Sequence, residues 1–153
     1  MLVWIGETED TLIRKLEDGY LRRVRRFIKV ERSPVAEQRK TDPRQFQSMM
    51  DREAESIEKR LRRATYLVAL AENGQELTTR QFAEFLSNKM NQGRESVAFI
   101  AGGHQGIPEK VTRKADLLLS LSRMTLPHEI ARLVLLEQLY RALTIARGLP
   151  YHR

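Results

Sequence analysis

The sequence predicts an α/β fold with one mainly parallel sheet flanked by helices. Short apolar runs of strand length alternate with longer segments whose apolar residues recur at helical spacing. Parallel neighbouring strands need crossover connections, and helices are the usual ones. With 153 residues, 41% of them hydrophobic, the chain is long enough for one well-buried core and too short for two ordinary domains. We therefore expect a single domain over residues 1–153.

The first half of the chain predicts two short strands and two helices. Residues 2–5 are expected to form a strand closed by Gly6, and Thr8 to cap a helix. The apolar residues of that helix recur at helical spacing: Leu12, Ile13, Leu16, Tyr20, Leu21 and Val24. Residues 27–30 are expected to form a second strand. Residues 33–40 lack periodicity and predict a loop. Thr41, Asp42 and Pro43 predict the start of a charged helix that ends at Arg63.

The second half predicts three further strands and two helices. The run at residues 65–71 suits a strand buried on both faces, and Asn73-Gly74 is expected to end it in a turn. Thr78 or Thr79 is expected to cap a helix that Gly93 terminates. Strands are expected at residues 97–101 and from Leu117, followed by a long apolar helix over residues 130–143.

Charge and composition limit the possible partners and the compartment. The chain carries 27 Lys and Arg against 20 Asp and Glu, a net charge of +7, which favours polyanions: RNA, DNA and anionic membrane surfaces are all candidates. The densest basic cluster lies between Arg22 and Arg32 and is either a solvated helix face or an RNA-phosphate contact. Cysteine is absent, and no apolar run approaches the length of a membrane-spanning helix. We expect a cytoplasmic protein without a membrane partner.

Three predicted strand ends are the candidate ligand site. In a parallel sheet, ligands bind beyond the carboxyl ends of the strands. Those ends are Leu70-Ala71, residues 101–103 and residues 121–126. The glycine cluster at residues 102–106 matches neither the dinucleotide fingerprint nor the Walker pattern, so a tight turn is favoured over a ligand loop there.

Metal and hydrolase chemistry are not supported by the motifs. His104, His128 and His152 are far apart in the sequence and belong to no metal-binding motif, so we expect no bound metal. Ser120 and Ser122 lack the context of a nucleophile elbow. Met124, taken alone, is expected to fill a gap in the core.

The last helix and the tail behind it are unusual for a chain terminus. Apolar residues cover more of the circumference of the helix than one buried stripe requires, so the helix is either deeply buried or part of a subunit interface. Glu137 and Arg141 have the spacing of an i,i+4 ion pair. Tyr151, His152 and Arg153 directly follow a Gly-Leu-Pro stop signal, which indicates a tail held in place for a purpose.

The ordered set of C-terminal motifs closely resembles the bacterial family of ribosomal large-subunit pseudouridine N3-methyltransferases. That family is a compact branch of the SPOUT class of S-adenosylmethionine-dependent RNA methyltransferases, and the resemblance covers essentially the whole chain. The motifs are FIAGGHQG at residues 99–106, LSLSRMTLPH at residues 119–128, Arg132, EQLYRA at residues 137–142 and PYHR at residues 150–153.

The resemblance implies a C-terminal trefoil knot, S-adenosylmethionine bound at the knot mainly by backbone groups, and a homodimer built on the apolar C-terminal helix. It implies that the tail, Tyr151, His152 and Arg153, lies near the target base as the catalytic segment. The sequence departs from its relatives at Ala71 and Gln75, where they usually carry an acidic residue and a lysine. The implied cofactor contacts are Leu70, Gly102, Leu121, Ser122, Arg123, Met124, Thr125 and Leu126.

The implied reaction is transfer of a methyl group to N3 of a pseudouridine in helix 69 of 23S rRNA, within the large subunit or the assembled 70S ribosome. His152 is expected to act as base or orienter because its ordinary pKa lies near working pH. Arg153, Arg132 and Arg123 are expected to hold phosphate or to stabilise charge on the base oxygens. The alternatives are a non-catalytic RNA- or ribosome-binding protein with the same fold and a SPOUT methyltransferase acting on tRNA.

Overall fold

A computed structural model describes residues 1–37, 43–92 and 96–152, with the backbone alone at Pro43 and His152. The chain forms five strands: β1 (Leu2–Ile5), β2 (Arg32–Val35), β3 (Tyr66–Glu76), β4 (Val97–Ala101) and β5 (Leu117–Ser120). They make one sheet in the order β2-β1-β4-β3-β5, and every neighbouring pair is parallel. The predicted α/β fold with a mainly parallel sheet is confirmed.

Helices cover both faces of the sheet: α1 (Thr11–Val24), α2 (Phe46–Leu61), α3 (Thr79–Asn91), α4 (Glu109–Thr112) and α5 (His128–Ala146). Successive side chains of a strand point to opposite faces, so β1 and β4 each contribute to two cores. On one face, Trp4, Val68 and Phe99 belong to the core cluster that includes residues of α1, α3 and α5. On the other face, Val3 and Ile100 belong to the cluster that includes residues of α2 and α4.

The prediction of a second strand at residues 27–30 is wrong. The backbone N–H groups of Phe27 and Ile28 donate to the carbonyl of Val24, at 2.9 and 3.2 Å, so the chain continues there as a turn at the end of α1. The strand lies instead at Arg32–Val35, and its last three residues overlap the segment predicted to be a loop. Its Pro34 is tolerated because β2 is an edge strand, where a missing N–H need not break the ladder.

The start of α1 also differs from the prediction. Asp10, not Thr8, caps the helix, since its carboxylate accepts from the N–H groups of Leu12 and Ile13. The buried face of α1 contains Glu17, Leu21 and Val24. Two leucines of the same helical pattern are exposed at the surface: Leu12 at 68% and Leu16 at 52%.

The turn predicted at Asn73-Gly74 is wrong, because β3 continues to Glu76. Its register against β5 shifts, so that both Leu70 and Gln75 pair with Leu119. A Cβ at Gly74 would lie 2.7 Å from the backbone of Leu118, so glycine is needed for this close approach of the two strands.

Thr78 caps α3 through a capping box with Gln81, as predicted. The long charged helix begins at Phe46, after a 3₁₀ turn at Pro43–Gln45, and ends at Leu61. The predicted boundary residues Thr41, Asp42 and Gly93 lie outside the described residues. In the described part of the chain, no helix combines the length and the apolar character that crossing a membrane requires.

Candidate active site

The three predicted strand ends lie together around one cleft of about 420 Å³. Leu70 and Ala71 from β3, Gly102 after β4 and Leu121 after β5 line the cleft, because parallel strands present their carboxyl ends at the same edge of the sheet. The N-terminal turn of α5 closes one side with His128 and Ala131. All eight predicted cofactor residues except Arg123 are in its lining.

Residues 122–126 form a polar loop that borders the cleft. Ser122 fixes the loop, because its hydroxyl accepts from the N–H of Met124 at 2.9 Å and its carbonyl accepts from Ser120 Oγ at 3.0 Å. The prediction that Met124 fills a gap in the core is wrong, since it is 78% exposed beside the cleft. Arg123 lies outside the cleft lining and forms an exposed ion pair with Glu76 at 3.0 Å.

The glycine cluster is a tight turn that lines the cleft. Gly103 and Gly106 form an isolated bridge, and Gly106 has a φ of +76°, which favours glycine. A Cβ at Gly103 would lie 2.2 Å from the carboxylate of Glu37, which sits against this turn. The same carboxylate accepts from the N–H of His104 at 2.6 Å. The turn and the end of β2 are therefore joined by one acidic side chain.

Arg132 is fully buried, and its guanidinium joins two strand ends. It donates to the carbonyls of Ile5 and Gly102 and to the hydroxyl of Thr8. Burial lowers the pKa of Arg132, opposed by the carboxylate of Glu17. The expectation that Arg132 holds phosphate is wrong for this arrangement, since no part of the residue is exposed; it fixes the backbone of the cleft instead.

A buried carboxylate accompanies that arginine. Glu17 is fully buried on α1, accepts from the hydroxyl of Thr8 at 3.0 Å and pairs with Arg32 at 3.2 Å. Burial raises the pKa of Glu17, and the hydrogen bond from Thr8 and the charges of Arg32 and Arg132 oppose that shift. The network ties α1, β2 and α5 together behind the cleft.

Two of the three histidines meet at the edge of the cleft. The ring centroids of His104 and His128 are 4.4 Å apart, and His104 Nδ1 lies 3.1 Å from Glu37. Burial lowers the pKa of His128, helped by the neighbouring charge of Arg132, so its ring is neutral at physiological pH. Across residues 1–37, 43–92 and 96–152, no three His, Asp or Glu side chains converge to hold a metal ion.

The tail is folded back onto α5. Gly148 has a φ of +67°, its N–H donates to Ile145, and the N–H of Leu149 donates to Thr144, which together make a Schellman motif. A 3₁₀ turn at Pro150–His152 follows and packs against α5. The side chain of His152 and all of Arg153 lie outside the described residues.

Tyr151 is held by an aromatic and charged cluster. Its ring packs edge-on against Tyr140, and its hydroxyl lies 3.4 Å from both the hydroxyl of Tyr20 and the carboxylate of Glu137. Glu137 also forms the predicted ion pair with Arg141, at 2.6 Å. The hydrogen bond with Tyr20, together with burial, raises the pKa of Tyr151 to about 12. Its hydroxyl is therefore protonated at neutral pH.

Within one chain, Tyr151, the part of the tail whose side chain is described, does not reach the cleft. Tyr140, the ring under Tyr151, lies nine residues beyond Ala131 in α5, which is about 14 Å along the helix axis at 1.5 Å per residue. Tyr151 is not in the lining of the cleft.

Sequence reasoning missed Glu37 and Glu17. Glu37 falls in a segment without periodicity and belongs to no motif. Glu17 looks like any other acid of a charged helix. The signal that points to Glu37 is indirect: two adjacent glycines, Gly102 and Gly103, indicate that something approaches the backbone closely.

The comparisons with known proteins agree over nearly the full length. A family model described as a predicted SPOUT methyltransferase matches residues 1–152. A protein of Geobacter sulfurreducens named ribosomal RNA large subunit methyltransferase H is 37% identical over 99% of this chain and 97% of its own. A protein of the same name from Caldicellulosiruptor saccharolyticus is 31% identical over 99% of this chain and 98% of its own.

Solved structures agree on the fold. A probable methyltransferase from Bordetella pertussis superposes with a TM-score of 0.60 at 14% identity, over 93% of this chain and 94% of that one. A probable methylase family protein from Haemophilus influenzae gives a TM-score of 0.59 at 11% identity, over 99% of this chain and 69% of that one. With the family model covering nearly every residue, the chain belongs to the SPOUT methyltransferase family and transfers a methyl group from a methyl donor.

Proposed function

We propose that this chain methylates N3 of a pseudouridine in helix 69 of 23S rRNA, using S-adenosylmethionine and acting in the cytoplasm on the large subunit or the assembled 70S ribosome. The observation that carries the proposal is the cleft, whose lining contains seven of the eight residues implied as cofactor contacts. The names of the full-length relatives support a target in large-subunit rRNA.

The lining of the cleft fits S-adenosylmethionine. Its volume of about 420 Å³ lies in the usual range for small-molecule sites, roughly 300–1,000 Å³. Leu70, Leu121 and Leu126 offer apolar contacts, while the strand ends offer backbone donors and acceptors beside them. When bound, the cofactor supplies an activated methyl group. Arg132 holds the carbonyl of Gly102, a lining residue of the cleft, together with the carbonyl of Ile5 at the end of β1. The trefoil knot is part of the same proposal.

In a homodimer, the exposed apolar face of each chain would be covered and the tail of each chain could reach a cleft. The outer stripe of α5, with Ile130, Leu133 and Val134, is only half-buried although apolar, and Leu12 and Leu16 of α1 are exposed. An exposed apolar face of this kind is typical of a subunit interface. Since Tyr151 packs away from the cleft of its own chain, we propose that the tail of one protomer completes the cleft of its partner.

In that composite site, the tail is proposed to contact the target base and to help remove its proton. The N3 imide proton must leave for the nitrogen to attack, and alignment of the reacting atoms contributes several kcal/mol. We propose that His152 takes or orients that proton. Tyr151 is unsuited as a base, because its raised pKa keeps the hydroxyl protonated, so it orients the base or the tail. Arg153 is proposed to stabilise negative charge on the base oxygens.

The test is a methyl-transfer assay with mapping of the product. Large subunits, 70S ribosomes and tRNA, each from cells lacking the gene, are incubated with the chain and S-adenosylmethionine, and modified nucleosides are located by mass spectrometry. N3-methylpseudouridine in helix 69 is expected. Methylation of tRNA alone would show that the substrate is tRNA and not 23S rRNA. Cofactor binding without methylation of any RNA would favour a non-catalytic RNA-binding role. Light scattering tests the assembly, with an expected mass about twice 17.8 kDa.

A further inference from the structure

Four exposed arginines at the end of α1 form a concentrated positive surface. We call Arg22, Arg23, Arg25 and Arg26 the α1 arginine patch; all four are exposed. Among the described residues, none of them pairs with a carboxylate. Their basic neighbours do: Arg32 pairs with Glu17 and Asp18, and Lys29 lies 3.9 Å from Glu31.

The usual structural role of basic residues at a helix end does not account for the patch. Cations in the last turn stabilise the helix dipole by roughly 0.3–1 kcal/mol, and Arg22 and Arg23 occupy that turn. Arg25 and Arg26 lie past the end of the helix and add repulsion between like charges. Four unneutralised charges are also more than half of the net charge of +7. A surface of this kind matches a polyanion.

The α1 arginine patch is continuous with the tail. The guanidinium of Arg23 lies 5.1 Å from the ring centroid of Tyr20 and 5.7 Å from that of Tyr140. Tyr151 packs on Tyr140 at 4.6 Å and meets the hydroxyl of Tyr20. The tail therefore leaves α5 beside the patch, and both belong to one surface of the same protomer.

We infer that the α1 arginine patch binds the phosphate backbone of the substrate RNA. The RNA that it binds is the one whose target base lies in the partner's cleft, which is the cleft that receives the tail of the same protomer. This inference rests on the proposed function. An RNA strand that runs from the partner's cleft across the tail would next meet these four guanidinium groups. Phosphate is the group that a cluster of arginines recognises best, through charge-assisted and bidentate hydrogen bonds.

The first test is the salt dependence of binding to purified large ribosomal subunits. The variant is R25Q/R26Q, which leaves Arg23 and its aromatic contacts in place. The matched control is R62Q/R63Q, which removes the same charge from two exposed arginines after the end of α2. For R25Q/R26Q, the slope of log Kd against log salt is expected to fall by about 1.4–1.8, which corresponds to two phosphate contacts. KM for subunits should rise roughly tenfold or more, with kcat and cofactor affinity unchanged.

Each other outcome decides against the inference. Equal slopes for the two variants would show that the α1 arginine patch acts only through net charge. Loss of binding to phosphatidylglycerol vesicles, with subunit binding unchanged, would assign the patch to a membrane surface. The inference and the proposed function can fail separately, because subunit binding is measured without methylation. A wild-type chain that binds subunits but transfers no methyl group would count only against the proposed function.

The second test uses mixed dimers to ask which active site the patch serves. Ala131→Trp fills the cleft, and calorimetry with S-adenosylmethionine verifies the loss of cofactor binding. In one mixed dimer, Ala131→Trp and R25Q/R26Q are on different protomers, so the working cleft receives the intact tail and patch of its partner. In the other, one protomer carries both changes and its partner is wild-type.

The first mixed dimer is expected to retain the KM of a dimer in which one protomer carries only Ala131→Trp. The second is expected to show the raised KM, because its working cleft faces the altered patch. The reverse result, or the same KM in both, would overturn the assignment of the patch to the protomer that supplies the tail.

Discussion

Tyr151 packs edge-on against Tyr140 of the helix that precedes it, with ring centroids 4.6 Å apart. Tyr151 thus fixes the start of the tail to its own chain, through contacts with residues that do not line the cleft. A segment fixed in this way can be presented to a second molecule without a large ordering cost, since its backbone entropy has already been lost on folding.

The ionisation of Tyr151 reports directly on this contact. With its pKa raised to about 12, chiefly by the hydrogen bond with Tyr20, Tyr151 is expected to titrate well above the ordinary value of 10.0. Ultraviolet difference titration of wild-type against Tyr151→Phe isolates its signal. Tyr20→Phe should lower the pKa of Tyr151, whereas Tyr66→Phe should not, because the ring of Tyr66 packs against Phe85 instead. An unchanged pKa in Tyr20→Phe would contradict the geometry of the cluster.

Removal of the tail separates its role from that of the cleft. A chain lacking residues 151–153 is expected to lose methylation while binding S-adenosylmethionine with nearly unchanged affinity, because the cleft is lined by residues that precede the tail and Tyr151 is not in the lining of its own chain's cleft. Calorimetry measures the affinity, and nucleoside mass spectrometry measures the product. Full activity of the truncated chain would disprove a catalytic tail.

Gly148→Ala is a milder change to the same feature. A Cβ is strained at a φ of +67°, by about 1 kcal/mol, so the Schellman motif weakens and the tail loosens. Methylation should fall while cofactor affinity holds. Gly19→Ala is the control, since its Cβ would meet no atom within 4 Å and alanine favours the helix interior. Equal loss of activity in both variants would show that the tail position is irrelevant.

Arg132 should control cofactor affinity through the backbone it holds. Arg132→Lys keeps the charge but cannot reach Ile5, Gly102 and Thr8 together, because an ammonium group lacks the planar fork of a guanidinium. Loss of one hydrogen bond to a charged group costs about 1.5–3 kcal/mol, so affinity for S-adenosylmethionine should fall by roughly 10- to 100-fold. Arg147→Lys, at the exposed end of α5, should not change it.

The control for folding is the urea transition of the same variants. Arg132→Met removes the positive charge near buried Glu17 and is expected to lose about 3–5 kcal/mol of unfolding free energy. Arg132→Lys should lose much less. Wild-type cofactor affinity in a folded Arg132→Lys protein would refute the positioning role.

Glu17 should make stability depend on pH in an unusual direction. Burial raises its pKa above the ordinary 4.5, so the folded chain binds this proton more tightly than the unfolded chain. The stabilisation is complete below about pH 4.5 and is lost as pH rises through the raised pKa. Glu17→Gln, which cannot ionise, should lose less stability than wild-type over that range.

Urea unfolding at a series of pH values measures the difference between the two proteins. Asp18→Asn, which removes a neighbouring and more exposed carboxylate, serves as the control. A wild-type chain that gains stability relative to Glu17→Gln as pH rises would show that the attraction of Arg32 and Arg132 outweighs burial.

The fold and the cleft were largely predictable, and their supporting interactions were not. Apolar runs located β1, β4 and the first part of β3, and the rule for parallel sheets brought their ends together. The edge strand β2 was missed because RSPV carries little apolar signal, and backbone pairing with β1 alone makes it a strand. The register shift between Leu70 and Gln75 was missed because it depends on the approach of β5 to Gly74, which no local pattern encodes.

Long-range contacts also explain the errors within the site. Arg132 carries a charge typical of a nucleic-acid contact, yet carbonyls from β1 and from the end of β4 surround it. Met124 is apolar, yet it is exposed beside a cleft. In both cases the residue type was informative, and its environment was set by residues distant in the sequence.

The number of helical residues before the glycine turn at Gly148 determines the side of α5 on which Tyr151 lies. Each residue of an α-helix advances the chain by about 100°, so one residue inserted between Tyr140 and Gly148 would swing Tyr151 roughly a quarter of the way around the helix axis. Two inserted residues would place it on the opposite side. The length of this helix therefore sets the direction in which the chain leaves α5 at Tyr151, and an insertion or deletion there would turn that direction about the helix axis.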